Sequence, residues 1–227
     1  MKGMVMAGIV SCTKPDNSVK YSFCIITDGK EPDKLRKLIE SIDNQMIKEG
    51  YEIIVAGNWY EDENADIYIE MKGAAHHGNL GMIRNAACLA SCGDVLIVLD
   101  DDMVMHNGFY EGLRKYGDDF DVLSCKIHNP DGTRFWDWKG YRNGANWLLE
   151  YNETSPYVSL TGGLTIMKAH VFDAVQWADD RGFYQNEDVD FTNRLKDKGF
   201  RIEFNEHSTV THNANYTQIG NGVFVKD

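Results

Sequence analysis

The sequence predicts an α/β fold with a mixed, mainly parallel sheet flanked by helices. Three observations predict it. Short apolar runs recur at residues 21–27 (YSFCIIT), 51–56 (YEIIVA) and 94–99 (DVLIVL). Stretches with the spacing of amphipathic helices lie between them, as in 32–46, where Leu35, Leu38, Ile39 and Ile42 form one stripe. The third run is almost wholly apolar, as befits a strand covered on both faces. Strands alternating with helices of about ten to fifteen residues imply βαβ units and parallel pairing.

The remaining elements follow in order. Residues 65–70 (ADIYIE) predict a short third strand. The polar Gly/His segment 72–79 lacks a pattern and is expected to be a mobile cover. A helix over 80–91 ends at Gly93 and Asp94. Further on, 109–116 predicts a helix and 121–127 a strand. The stretch 128–157 is aromatic and loop-rich, with the turn signal NPDG. Residues 158–167 contain the pair Gly162-Gly163. Helices are expected over 168–177 and 189–198, the latter stopped by Gly199. A short strand is expected over 200–204. The polar tail 213–227 reads as a flexible flap. No linker divides the chain, so 1–227 is expected to be one domain. Residues 20–102 would form its nucleotide-binding half and 103–212 its acceptor-binding half.

Bulk properties exclude several classes. The chain of 227 residues carries 35 acidic and 23 basic side chains, a net charge of −12. Such a surface repels nucleic acid. No run approaches the about 20 apolar residues needed to cross a bilayer, and residues 4–10 lack the flanks of a signal peptide. A peripheral contact with a membrane and the oligomeric state stay open. The five cysteines, Cys12, Cys24, Cys88, Cys92 and Cys125, are odd in number and fit no disulfide framework. They read as buried thiols of a cytoplasmic protein.

Chemistry concentrates in three places. Asp100, Asp101 and Asp102 end the most apolar strand, where parallel sheets bind ligands. In extended geometry Asp100 and Asp102 share a side. Carboxylates held that close disfavour each other unless a cation or proton intervenes. Their hard oxygens suit Mg2+ or Mn2+. A solvated acidic turn capping the next helix is the alternative. Secondly, Glu187 and Asp188 precede the helical pattern over 189–198. With Asp190 they carry more acid than a helix start needs, which leaves Asp188 or Glu187 to take a proton from an attacking hydroxyl. Simple capping is the alternative. Thirdly, His212 ends the alternating stretch STVTH. No zinc spacing, Walker loop or Rossmann glycine fingerprint occurs.

The order of four segments carries a resemblance. These are GMIRNAACLASCGDVLIVLDDD, TGGLTIMKAHVF, NEDVDFTNRLKDKGF and the late His212. Together they resemble the family 2 glycosyltransferases, inverting enzymes of the GT-A fold with an Asp-x-Asp motif. The resemblance runs from about residue 21 to residue 212. It implies a Rossmann-like GT-A domain and a nucleoside diphosphate sugar donor, with UDP expected and GDP or dTDP as alternatives. It also implies Mn2+ or Mg2+ and a glycan or other hydroxyl acceptor. By the same resemblance Asp102 and His212 are metal ligands, with Asp100 also near the metal and the donor. Asp101 is a weaker donor contact. Asp188 is the catalytic base, and Glu187 orients the acceptor or supports the base. Arg84 and Asn85 match an Arg-Asn element near the donor. Gly162 and Gly163 match a loop beneath the acceptor. Thr27 and Asp28 match the nucleotide-contacting end of the first strand.

One departure affects the donor base. Many relatives end the second strand with Asp, whereas this chain has Ala56-Gly57-Asn58, so Asn58 is the candidate replacement. Trp136 and Trp138, with Tyr141 and Trp147, would line an acceptor groove. Closing a small subsidiary core is the alternative for the first two. A retaining mechanism is the nearest competing reading. A nucleotidyltransferase or a non-catalytic sugar-binding protein competes from other classes. The first lacks its basic glycine loop here. The second does not need both Asp102 and Asp188.

Overall fold

A computed structural model describes residues 18–58, 64–179 and 186–214, and the backbone of 216–219 and 223–226. Residues 4–10, Cys12, Tyr184 and Gln185 lie outside these. The elements in chain order are β1 (Val19–Thr27), α1 (Pro32–Asp43), β2 (Gly50–Gly57), β3 (Ile67–Glu70), α2 (Lys72–His77), α3 (Leu80–Leu89) and β4 (Val95–Asp100). Next come β5 (Met103–Met105), α4 (Phe109–Tyr116), β6 (Val122–His128), β7 (Lys139–Arg142), β8 (Ala145–Leu148), β9 (Val158–Ser159) and β10 (Leu164–Lys168). The chain continues through α5 (Ala169–Ala174), α6 (Glu187–Asp197), β11 (Ile202–His212), β12 (Tyr216–Ile219) and β13 (Val223–Lys226).

The main sheet has eight strands in the order β3-β2-β1-β4-β10-β6-β11-β5. The β3-β2-β1-β4 side is parallel throughout. Antiparallel β10 then joins β4 to β6. Strand residues alternate between two cores, as the two-residue side-chain period requires. Phe23, Ile25, Ile97 and Leu99 pack with Leu35, Leu38, Ile39 and Ile42 of α1 and with Phe109 and Leu113 of α4. Cys24, Ile26, Leu96 and Val98 pack on the other face with α3, α5 and α6 through Ile83, Ala87, Val171, Phe172, Phe191 and Leu195. The sheet is therefore covered on both sides, which explains the unbroken apolar run of β4.

Several elements depart from the sequence expectation. The segment after β3 is a short helix, α2. Met71, Ala74 and Ala75 pack on the second core, and Gly78 closes the helix in the left-handed region at φ 69°. The loop-rich stretch contains β7 and β8, which join β9 in a three-stranded sheet. The expected short strand over 200–204 extends to His212 as β11. Its polar middle hides the strand signal. Its pairing with β6 shifts register between Asn205 and Thr209. Asn205 bonds Ser208 Oγ at 2.9 Å and accepts from His207 N at 3.0 Å, while Ser208 Oγ donates to Phe109 O at 2.8 Å. Strands β12 and β13 pair antiparallel.

The cysteines also depart from expectation. Cys24, Cys88 and Cys125 are buried and free, but Cys92 is disulfide-bonded. Its partner lies outside the described residues. The turn that carries Cys92 is half-buried, and the Cys92 amide donates to Glu52 at 2.6 Å. Among the described residues no helix is long and apolar enough to cross a membrane.

A third cluster of Trp138, Leu149 and Val158 lies under the small sheet, with Tyr151 and Phe204 packed against it. Trp138 is 3% exposed, and its Nε1 donates to Glu153 O at 3.0 Å. The indole expected in an acceptor groove therefore closes this subsidiary core. Trp138→Ala is expected to lower stability by about 3–5 kcal/mol. Urea unfolding followed by far-UV circular dichroism measures it.

Candidate active site

The carboxyl end of the sheet gathers most of the candidate residues. Strand β4 delivers Asp100 to the rim, and the chain turns through Asp101 and Asp102 into β5. Antiparallel pairing of β5 with β11 sets His212 opposite Met103. That register, absent from linear spacing, brings His212 Nε2 to 3.4 Å from Asp102 Oδ2. The Asn213 amide donates to Asp102 O at 2.7 Å, and Phe135 flanks the imidazole with ring centroids 4.3 Å apart.

Asp102 Oδ1 is buried and has no hydrogen-bond partner. A buried carboxylate oxygen left unpaired costs about 1–3 kcal/mol or more, and a bound cation would remove that cost. An oxygen and an imidazole nitrogen together suit Mn2+ or Mg2+. Among the described residues no group of three or more His, Cys, Asp and Glu is placed to hold a metal. Asp102 and His212 by themselves would supply only part of a metal's ligands.

Asp100 turns to a different partner. Arg84 is 1% exposed and lies at the middle of a buried network. Its Nη2 donates to Asp100 Oδ1 at 3.0 Å and to Gly162 O at 2.9 Å, and its Nη1 donates to Glu187 Oε1 at 3.3 Å. Burial alone would weaken its hold on the proton, but Asp100 and Glu187 override that and raise its pKa. Burial raises the pKa of Asp100, with Arg84 opposing and Asp102 adding to the rise. The guanidinium thus ties the end of β4 to the first turn of α6.

Gly162 and Gly163 make that junction fit. A Cβ on Gly162 would lie 3.2 Å from Glu187 Oε1 and 3.3 Å from Arg84 Nη2, and one on Gly163 would meet Met103 Cε at 2.2 Å. The Asp100 amide donates to Gly163 O at 3.1 Å.

Asn85, next to Arg84, is used elsewhere. Its Nδ2 donates to Trp177 O and Asp179 Oδ1, both at 2.8 Å, and its Oδ1 accepts from Trp177 N at 2.9 Å. Its amide therefore holds the segment after α5. Trp177 stacks on Phe191 of α6 with centroids 4.0 Å apart.

The ends of β1 and β2 form the other flank. Thr27 Oγ1 donates to Asp101 Oδ2 and accepts from Gly29 N at 3.0 Å. Burial is the main cause of a rise in the Asp101 pKa to about 7, which Thr27 opposes and Asp102 and Asp100 reinforce. Asn58 Nδ2 donates to Asp28 O at 3.1 Å, while the Asp28 carboxylate pairs with Lys30. Gly29, at φ 77°, lets the Asn58 carbonyl approach, since a Cβ there would lie 2.0 Å from it. Thr27, Asp28, Asn58 and Asp101 thus lie together.

Asp188 follows Glu187 in the first turn of α6 but meets another group. Its Oδ2 accepts from Lys139 Nζ of β7 at 2.9 Å, and its Oδ1 from Val189 N at 2.8 Å. Both side chains are largely covered, at 10% exposed for Lys139 and 18% for Asp188. Lys139 escapes notice in the sequence because it sits within the aromatic run FWDWKGY and reaches Asp188 only through tertiary packing. Trp136 is half-buried against the main core, and its carbonyl accepts from Thr161 Oγ1.

Residues 22–173 match the family described as glycosyl transferase family 2. No curated protein matches the chain in sequence. Solved structures share the fold. A structure of GalNAc-T7 with UDP, GalNAc and Mn2+ superposes with a TM-score of 0.65 at 16% identity, over 87% of this chain and 44% of that one. TarS 1-349 of S. aureus gives 0.59 at 17% identity, over 84% and 60%. The catalytic domain of Drosophila beta1,4galactosyltransferase 7, in complex with xylobiose, gives 0.56 at 13%, over 86% and 70%. The chain therefore spans less than two thirds of GalNAc-T7 and of TarS 1-349.

Proposed function

We propose, from the premise that this chain belongs to glycosyl transferase family 2, that it moves a sugar from a nucleoside diphosphate sugar to an acceptor hydroxyl with inversion. The observation that carries this reading is one buried arginine, Arg84, that bridges the carboxylate ending β4 to the carboxylate opening α6. Asp102 follows Asp100 at the end of β4 and lies beside His212. Asp188 follows Glu187 on the α6 side. Two carboxylate centres in one site suit a displacement, in which leaving group and base act on opposite faces of the anomeric carbon.

Asp102 and His212 would hold Mn2+ or Mg2+, which when bound supplies positive charge to the departing diphosphate. Thr27, Asp28, Asn58 and Asp101 would line the nucleoside. Asp100, held by Arg84, would meet the ribose or the donor sugar. Asp188 would accept the proton of the acceptor hydroxyl as that oxygen bonds to the anomeric carbon. The bond from that carbon to the phosphate oxygen breaks, and its electron pair leaves with the nucleoside diphosphate. Glu187 and Arg84 would act as positioning residues, since their contacts fix α6 against β4.

Calorimetric titration with UDP, GDP, dTDP and CMP, each with and without Mn2+, tests the donor half. Saturable binding of one nucleotide, tightened at least about tenfold by Mn2+ (about 1.4 kcal/mol), is expected, with UDP preferred. Absence of binding by all four overturns the reading.

A further inference from the structure

The β7–β8 hairpin stands beside Asp188 and presents two unlike faces. Its two-residue turn, Asn143-Gly144, has φ of 52° and 84°, the left-handed pair that gives a tight, correctly twisted hairpin. Successive residues point to opposite faces. The partners across the strands are Lys139 with Leu148, Gly140 with Trp147, Tyr141 with Asn146, and Arg142 with Ala145.

One face is a buttress. The Trp147 indole lies against Gly140, where a Cβ would come within 2.3 Å of the ring. Tyr157 meets Trp147 edge-on with centroids 6.1 Å apart, and Arg142 lies over Tyr157 at 4.9 Å. This stack stiffens the hairpin from behind.

The other face carries Lys139, Leu148, Tyr141 and Asn146. Lys139 fixes its direction, because Nζ bonds Asp188 Oδ2. Leu148, directly across from Lys139, is 43% exposed. Opposed side chains on one face sit about 4.5–5.5 Å apart at Cβ, so Leu148 borders the Lys139–Asp188 pair. Tyr141 and Asn146 form the next rung outward, about 7 Å along the strands.

We propose that this face is the acceptor platform and that the acceptor is a saccharide. The proposal rests on the reading of Asp188 as the base. A sugar ring presents an apolar C–H face and a rim of hydroxyls. Leu148 matches the face, and the Tyr141 phenol and Asn146 amide match the rim. The rungs are spaced to seat one ring over Leu148 with a hydroxyl at Asp188, and a second ring beyond it. The net charge of −12 opposes docking of the same face on an anionic membrane.

The test uses the whole chain with UDP-sugars as donors. The probes are p-nitrophenyl glycosides of glucose, galactose, N-acetylglucosamine and N-acetylgalactosamine as acceptors, and UDP release is the readout. At least one glycoside is expected to accelerate UDP release. Leu148→Asp is expected to raise KM for that glycoside by about tenfold or more, with a smaller change in kcat, and Leu148→Met to restore it. UDP–Mn2+ affinity and the unfolding midpoint of Leu148→Asp should match the wild type, which separates loss of the platform from misfolding. An unchanged KM in Leu148→Asp overturns the proposal. So does the absence of acceleration by every glycoside in a protein that binds UDP–Mn2+. Binding to phosphatidylglycerol vesicles that Leu148→Asp abolishes would assign the face to a membrane and overturn it too. Failure of wild-type UDP–Mn2+ binding would instead remove the donor reading beneath it.

Discussion

Asp188→Asn is expected to lower kcat by about 10²–10⁴-fold, the usual contribution of a positioned general base. The substitution keeps the shape of the side chain and removes its capacity to take a proton. Lys139 loses its charged partner, at 2.9 Å in the native site, so the unfolding midpoint must be measured alongside. Asp188 bonds Lys139 and Val189 N, whereas Asp102 lies beside His212, so UDP–Mn2+ affinity is expected to stay within about twofold of wild type (about 0.4 kcal/mol). Steady-state UDP release with the acceptor saturating reads the first effect, and calorimetry reads the second. An unchanged kcat would refute the base assignment while leaving the donor site intact. A parallel fall in nucleotide affinity would show instead that Asp188 supports the donor side through α6.

Asp102→Asn should give the converse pattern. The native carboxylate keeps Oδ1 buried without a partner and Oδ2 3.4 Å from His212 Nε2. An amide removes the negative charge that would hold a divalent cation yet fills the same volume. The Mn2+-dependent part of UDP affinity is expected to vanish, and kcat to fall by about 10²–10³-fold, the cost of losing one preorganised stabiliser of transition-state charge. Because an unsatisfied buried anion is removed, thermal stability without metal is expected to hold or rise. Calorimetry with and without Mn2+ and a melting curve read these outcomes. UDP binding with an undiminished Mn2+ response in Asp102→Asn would remove Asp102 from the metal site.

Much of this architecture is legible in linear form because its signals are local. β1, β2 and β4 announce themselves by apolar runs, and α1 by its stripe of Leu35, Leu38, Ile39 and Ile42. The ordered segments around Asp100 to Asp102, Gly162-Gly163 and Glu187-Asp188 point to the family, and the family match over residues 22–173 takes in the first two of them. What stayed hidden depends on pairing between distant strands and on burial. His212 reaches Asp102 only through the β5–β11 register. β11 looked short because polar residues satisfy one another at its bulge. The segment 72–79 looked unpatterned because α2 is too short for a helical period to show.

The sequence by itself determined the α/β class, the alternation of the two cores and the residue types near the rim. Each follows from side-chain polarity at fixed periods along one strand or helix. Only the tertiary structure decided the partners: Arg84 with Asp100 and Glu187, Lys139 with Asp188, Asn85 with Trp177, and Trp138 with a subsidiary core. Each of these depends on contact between residues far apart in the chain. Such contacts are selected by packing and by the cost of burying unpaired charge, and neither can be read from a residue's neighbours in sequence.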